Sequence, residues 1–259
     1  MKRFDIALLG SGWLGLPLAR HFHQQDLAVA ASTRHLRRFP EIETSGAIPF
    51  LVDIDSANDR GAFLNCRILI INITCKNIQS FQFLINQIES GLIEEVLLVS
   101  SSSVYQNLQR EVSEDEAAEN QDSVLFQIEQ LFQNSQKFQT TILRCSGLID
   151  SRRHPGRFFR HGKKVQQPDA PVNLIHLDDV IGIIDAIIKQ HAWGEVFNAS
   201  ADSHPTKREF YSYARELLGL PAPECADTDS SNFKIVSNNK VKQQLGYRFY
   251  HPDLLQIQF

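Results

Sequence analysis

Phe4-Asp5-Ile6-Ala7-Leu8-Leu9-Gly10-Ser11-Gly12-Trp13-Leu14-Gly15 is the stretch whose reading decides the fold. From Phe4 to Leu9 the chain is apolar almost without a break, as a strand covered on both faces must be. A Gly-x-Gly-x-x-Gly follows. Leu14, Leu18 and Phe22 then recur at the spacing of one helical face. Pro17 suits the first turn of such a helix, where its missing N–H has no intrahelical partner to lose. A glycine-rich turn between a buried strand and a helix has a mechanism behind it. Gly10 permits the tight turn, Gly12 lets backbone approach a pyrophosphate, and Gly15 lets helix and strand pack closely. The helix start offers free N–H donors and the positive end of a dipole to the phosphates. Gly10, Ser11, Gly12, Trp13, Leu14 and Gly15 therefore read as a dinucleotide site.

Outward from this stretch the rhythm repeats. Strands are expected at residues 4–9, 27–32, 48–52, 68–73, 95–100, 140–143 and 195–198, alternating with helical stretches. A helix is expected over residues 123–132, with Val124, Ile128, Leu131 and Phe132 facing the core. Others are expected over 180–188 and 206–218, the last opening on a Thr206/Glu209 capping box and stopped by Gly219. The acidic stretch from Glu111 to Asp122 reads as a solvated loop and helix start, with Ser113 and Glu116 spaced as another capping box. The fold class is α/β, a Rossmann-type doubly wound parallel sheet. The NAD(P)-binding core covers residues 1–147. Late strands and a small C-terminal helical substrate lobe occupy 148–259, interleaved with the core as a single structural unit.

Composition narrows the function classes. The 259 residues are 42% hydrophobic and 22% charged, an ordinary globular balance that argues against disorder. A net charge of -4 argues against a general nucleic-acid binder, which needs a basic surface to displace counterions. No apolar run reaches the roughly 18–20 residues that span a bilayer, and the opening residues do not make a signal peptide. Cys66, Cys75, Cys145 and Cys225 are scattered, so neither a structural zinc site nor a disulfide framework is expected, and no metal site is read. The expected protein is soluble and cytoplasmic.

The second strand bears on which dinucleotide is bound. An NAD site of this kind carries a carboxylate about 20 residues beyond the glycines, bonding the ribose 2′-hydroxyl. Residues 27–40 contain none; the strand ends in Ser32-Thr33-Arg34, with Arg37 and Arg38 beyond. A guanidinium pairs with a 2′-phosphate, so Thr33 and Arg34 favour NADP(H), with NAD(H) left open.

With these motifs in place, the chain resembles the extended and atypical branches of the short-chain dehydrogenase/reductase family, the NAD(P)-dependent epimerase/dehydratase-like proteins. The resemblance covers nearly the whole length. It rests on Gly10–Gly15, Val52-Asp53-Ile54, Asn72-Ile73-Thr74, Val99-Ser100-Ser101-Ser102-Ser103-Val104-Tyr105 and Leu143-Arg144-Cys145-Ser146-Gly147. Further support comes from Asn173-Leu174-Ile175-His176-Leu177-Asp178-Asp179, Val196-Phe197-Asn198 and Gln244-Leu245-Gly246-Tyr247. It implies that Asp53 and Ile54 touch the adenine, that Asn72, Ile73 and Thr74 line the nicotinamide ribose, and that Ser100 borders the cofactor. Ser101 matches the family's catalytic serine or threonine. Arg152, Arg153 and Arg157 lie where extended members hold a substrate's phosphates, and a solvated loop is the other reading of them. A small phosphorylated or nucleotide-linked sugar is the implied substrate and a homodimer the implied assembly, with no nucleic acid or membrane partner.

One departure matters. The family's proton transfer needs a Tyr-x-x-x-Lys, and here no tyrosine has a lysine four residues on. If Glu129 aligns with the glutamate that follows the family lysine, the pair is replaced by Gln121 and Leu125, neither of which transfers protons at neutral pH. Tyr105 is the substitute that the sequence offers, as an acid for a carbonyl; a packed tyrosine is its other reading. Two functions stay open: an unconventional NADP(H)-dependent oxidoreductase, and a non-catalytic dinucleotide-binding redox sensor or regulatory protein. On the 2′-phosphate reading, Arg34→Ala should weaken NADPH binding at least ~10-fold in calorimetric titration and leave NADH unchanged. Equal NADPH affinity in the variant would contradict it.

Overall fold

The seven apolar stretches form one seven-stranded parallel sheet in the computed structural model, which describes residues 3–56, 60–159, 162–229 and 231–259. Met1 and Lys2, read above for a leader, lie outside the described residues. The strands are β1 (Phe4–Leu9), β2 (Val29–Thr33), β3 (Ile48–Leu51), β4 (Cys66–Ile71), β5 (Glu95–Ser101), β6 (Glu111–Val112), β7 (Gln139–Cys145), β8 (Gly147–Ile149), β9 (Leu174–His176), β10 (Val196–Ala199) and β11 (Ile235–Val236). The helices are α1 (Gly15–His23), α2 (Phe39–Thr44), α3 (Ile78–Glu89), α4 (Val124–Gln133), α5 (Leu177–Gln190), α6 (Lys207–Glu216) and α7 (Asn239–Leu245). Each expected strand of the sheet is present.

The order is β10-β7-β5-β4-β1-β2-β3. It grows one way from β1 and the other way from β4, so the topological switch point of a doubly wound sheet falls between these two strands. Ile6 pairs in parallel with Val29 on one side and with Ile68 on the other. Ile142 N–H donates to the Glu195 carbonyl at 2.9 Å and Ser146 N–H to that of Ala199 at 2.8 Å, a parallel register at the far edge. Ile6, Ala7 and Leu8 are fully buried, which is why β1 reads as an unbroken apolar run. Among the described residues, no helix is long and apolar enough to cross a membrane.

The chain divides into two compact units, each built from three stretches, with boundaries inside β5, at the end of β7 and inside β10. One comprises Met1–Ser100, Gln121–Leu143 and His191–Val196. Its core joins Leu9, Leu69, Ile71, Val96 and Leu98 to Phe81, Leu84, Ile85 and Ile88 of α3 and Ile128 and Phe132 of α4. Phe81 and Phe132 meet edge to face at 5.9 Å, a favourable geometry for two ring quadrupoles. Val124 was expected inside but is exposed at the first turn of α4, and Phe126 is buried there instead. The helix begins only after the Ser123 cap, so the inward face starts two residues later.

The other unit comprises Ser101–Asn120, Arg144–Gln190 and Phe197–Phe259. Ile149, Val172, Leu174, Phe210, Leu254 and Ile257 are buried together in it. Asp179 in the first turn of α5 is fully buried and ties down the C-terminal segment. Its carboxylate accepts from the Tyr247 hydroxyl at 3.1 Å and from the amides of Tyr250 at 2.7 Å and His251 at 3.1 Å. Gly182 makes room for that tyrosine, because a Cβ there would lie 2.3 Å from its hydroxyl. Ser113 and Glu116 do bond, at 2.9 Å, but they close a turn and no helix follows, so the expected capping box is not one. Nor is the acidic stretch wholly solvated, since Glu119 is buried.

Thr206 and Glu209 form both bonds of a capping box at the start of α6. Thr206→Ala should lower unfolding free energy in urea by about 1 kcal/mol; an unchanged midpoint would contradict the role assigned to the cap.

Candidate functional site

The glycine loop follows β1, and its three glycines have different jobs. Gly10 sits at φ +108°, a backbone conformation that L side chains rarely adopt, and a Cβ there would stand 2.4 Å from Asn72 Oδ1. At Gly15 an added Cβ would lie 2.0 Å from the Gly10 carbonyl oxygen, so only glycine lets α1 start this close to the strand end. A Cβ at Gly12 would meet no atom within 4 Å. Packing thus requires the outer two glycines and leaves the middle one facing open space.

Buried polar atoms of the loop and of the end of β4 lack partners. Ser11 is 2% exposed and its hydroxyl has no hydrogen-bond partner among the described residues. Both amide atoms of Asn72, directly after β4, are likewise buried and unpartnered. An unmade bond of this kind costs ~1–3 kcal/mol, and a ligand that supplies the missing partner recovers it. No side chain caps α1 and no acidic residue stands in its first turn, so its positive end is not neutralised locally. The loop is braced from β2 and beyond: Gly10 N–H donates to Ser32 Oγ at 2.9 Å, and Arg38 donates to the Ser11 carbonyl at 2.8 Å while pairing with Glu41. The residues present fit a dinucleotide: an uncapped helix start, an empty approach at Gly12, and the orphaned polar atoms of Ser11 and Asn72 at the switch point.

The other expected cofactor residues belong to the same unit. Trp13 is half-buried and Leu14 is buried. Thr33 is buried and accepts from the His35 amide at 3.2 Å; Arg34 next to it is exposed at the end of β2. Arg38 is engaged with the loop and Glu41, which leaves Arg34 and Arg37 as the exposed guanidiniums of the cluster. Asp53 is half-buried in a turn, its carboxylate accepting from the Asp55 amide at 3.1 Å; Ile54 belongs to the apolar core. Ile73 packs against that core and Thr74 is exposed. Ser100 is buried and its hydroxyl donates to Glu129 of α4, itself fully buried. Gln121 is exposed and Leu125 half-buried.

The two expected catalytic residues belong to the second unit. Ser101 Oγ accepts from the Ser103 amide at 3.1 Å and caps a short turn, which leaves its O–H proton available to donate. Tyr105 is 3% exposed. Its hydroxyl donates to Asn198 Oδ1 at 2.9 Å and accepts from Arg144 at 2.8 Å, and the guanidinium also lies 4.8 Å from the ring centre. Burial pushes its pKa up to about 12. Arg144 is itself buried and paired with the buried Glu119. Asn198 completes the net through the Ser237 carbonyl and the Glu114 carboxylate. The geometry makes Tyr105 a strut of the interior, with both hydroxyl valences used. Arg152, Arg153 and Arg157 are all exposed.

No family model matches the chain. It is 30% identical over 267 residues to Protein YeeZ of Escherichia coli K12, covering 96% of this chain and 97% of that protein. A conserved protein of unknown function from Silicibacter pomeroyi has the same fold, with a TM-score of 0.84 at 22% identity over 97% of this chain and 95% of that one. A short-chain dehydrogenase/reductase superfamily protein from Agrobacterium tumefaciens with bound NAD gives a TM-score of 0.79 at 14% identity, covering 95% and 92% of the two chains. UDP-glucuronic acid 4-epimerase from Bacillus cereus, in complex with NAD, gives 0.79 at 16% over 97% and 95%.

The two kinds of glycine should separate by mutation. Gly15→Ala is expected to destabilise the protein by at least about 2 kcal/mol through its clash with the Gly10 carbonyl. Gly12→Ala should leave stability within ~0.5 kcal/mol and weaken NADPH binding at least ~10-fold. Unaltered binding in Gly12→Ala, measured by fluorescence titration, would refute this division.

Proposed function

Because this chain belongs to the extended, atypical branch of the short-chain dehydrogenase/reductase family, with YeeZ as a full-length relative, we propose that it binds a pyridine dinucleotide, NADP(H) in preference to NAD(H), as an unconventional oxidoreductase. The observation that carries the reading is the open approach at Gly12 together with the unpartnered Ser11 hydroxyl next to it in the loop and the unpartnered Asn72 amide against the outer glycines. In this reading the amides of the loop and of the first turn of α1 bind the pyrophosphate. Ser11 and Asn72 complete their hydrogen bonds on the cofactor, and Arg34 and Thr33 take the 2′-phosphate. When bound, the nicotinamide supplies hydride donation and acceptance.

The substrate that fits this proposal is a phosphorylated or nucleotide-linked sugar, held by the exposed Arg152, Arg153 and Arg157 through charge-assisted bonds to phosphate. Ser101, whose Oγ accepts from the Ser103 amide, donates a hydrogen bond to a substrate oxygen in this reading. Positioning alone accounts for a large part of a hydride-transfer barrier, so turnover does not require the missing tyrosine–lysine pair. All four cysteines are free thiols, which suits a reducing compartment, and in this reading the protein works in the cytoplasm as a homodimer.

A second reading is favoured by one observation. Tyr105 is buried with its hydroxyl doubly bonded, so a ready substitute for the family's acid–base residue is missing from the position where the sequence offered one. On that reading the protein binds the dinucleotide without turnover and acts as a sensor. Calorimetric titration with NADPH and NADH, followed by NADPH absorbance in the presence of nucleotide sugars and small carbonyls, tests both. Binding with consumption supports the oxidoreductase, and binding without consumption supports the sensor. Heatless titrations with both coenzymes would remove the two readings together.

A further inference from the structure

His176 and Asp178 stand two residues apart and His251 lies 73 residues beyond Asp178, and the three side chains converge within the second unit. Among the described residues they form a group whose ligand atoms all lie within 4.8 Å of one another. Asp178 Oδ2 is 3.3 Å from His176 Nδ1 and 3.3 Å from His251 Nε2. The two imidazole rings are tilted against each other with centroids 4.0 Å apart. Zinc binds imidazole nitrogen at 2.0–2.1 Å and carboxylate oxygen at 2.0–2.2 Å, so ligand atoms on a tetrahedral ion stand about 3.4 Å apart. Two of the three edges already have that length, and the third is within 4.8 Å.

The supports of the three groups are fixed independently of any ion. His176 ends β9 and is 8% exposed, and Asp178 stands in the first turn of α5. His251 is held by its own backbone, since its amide donates to the buried Asp179 carboxylate at 3.1 Å. Asp179 is adjacent to Asp178 on the same helix. One buried carboxylate thereby clamps the C-terminal segment against the helix start that presents the ligand carboxylate, the kind of outer support that keeps metal ligands aimed. The Asp178 amide donates to His176 Nδ1 at 3.3 Å, and an ion at this nitrogen replaces that long hydrogen bond. The Asp178 side chain is 59% exposed and the His251 side chain 25% exposed, which opens the cluster to ions and to a water as a fourth ligand.

We propose that His176, Asp178 and His251 are a binding site for a single divalent cation of the zinc class. Two imidazoles and one carboxylate are the donor set such ions prefer, and calcium or magnesium would want oxygens in greater number. The ion joins the start of α5 to the C-terminal segment 73 residues on, so binding stabilises the folded chain. The proposal is independent of the dinucleotide, whose loop belongs to the other unit.

The test uses the full chain, freed of any purification tag, and Zn2+ in competition with a chromogenic chelator. The wild type is expected to take up one equivalent tightly and to gain on the order of 5 °C in Tm when the ion is ~100-fold above Kd. His251→Gln and Asp178→Asn should each lose at least ~10-fold in affinity and most of the thermal gain, while His35→Gln, an exposed histidine elsewhere, should behave as wild type. Both informative variants keep the backbone bonds to Asp179, and circular dichroism without metal checks that they fold. Co2+ in place of Zn2+ should give visible ligand-field absorption in the wild type and in neither variant. No uptake by the wild type, or uptake indifferent to His251→Gln and Asp178→Asn, would overturn the proposal.

Discussion

The first turn of α1 rests on the carbonyl of Gly10, and the arrangement of the glycine loop depends on that contact. A single methyl group at Gly15 would reach to 2.0 Å from that oxygen. The close approach aims the N-terminus of the helix over the end of β1, where β1 and β4 send their connections to opposite sides. Asn72 completes the arrangement from β4, its amide lying against both outer glycines. Helix start, strand end and amide together leave an uncapped helix, an unpartnered Ser11 hydroxyl and free space at Gly12. A fold that needed only a turn here would have no use for a glycine at that middle position.

Much of this was legible because burial writes itself into composition. β1, covered on both faces, is apolar along its length, and all seven strands of the sheet were read from short apolar stretches to within two residues at each end. The Thr206/Glu209 box is equally local, its partners three residues apart. Ser113 and Glu116 have the same spacing and do bond, yet Ala117 takes a positive φ of 52° and the chain turns away. Spacing specifies the pair of bonds and does not decide whether a helix continues. Helix α3 carried a signal that was there to be read: Asn77 caps it, and Phe81, Leu84, Ile85 and Ile88 follow at helical spacing.

The parts that stayed illegible join residues distant in sequence. Nothing near Arg144 announces that it is buried against Glu119 and Tyr105, and nothing near Tyr105 announces Asn198. The acidic stretch looked solvated because net charge is a local quantity, whereas pairing with a buried guanidinium is a tertiary one. The same holds for Arg38, visible in sequence as one of three basic residues and in the fold as the donor bracing the Ser11 carbonyl. His176, Asp178 and His251 are the furthest case, since a ligand set divided between a helix start and the C-terminal segment has no spacing to recognise.

The cradle itself is tested most directly by amide hydrogen exchange with and without saturating NADPH. The account predicts slowing of at least ~10-fold concentrated in the peptides that carry Ser11 to Gly15 and Asn72 to Thr74, because those amides gain acceptors on the ligand. Bound cofactor with unchanged exchange in both peptides, and protection appearing elsewhere, would contradict it.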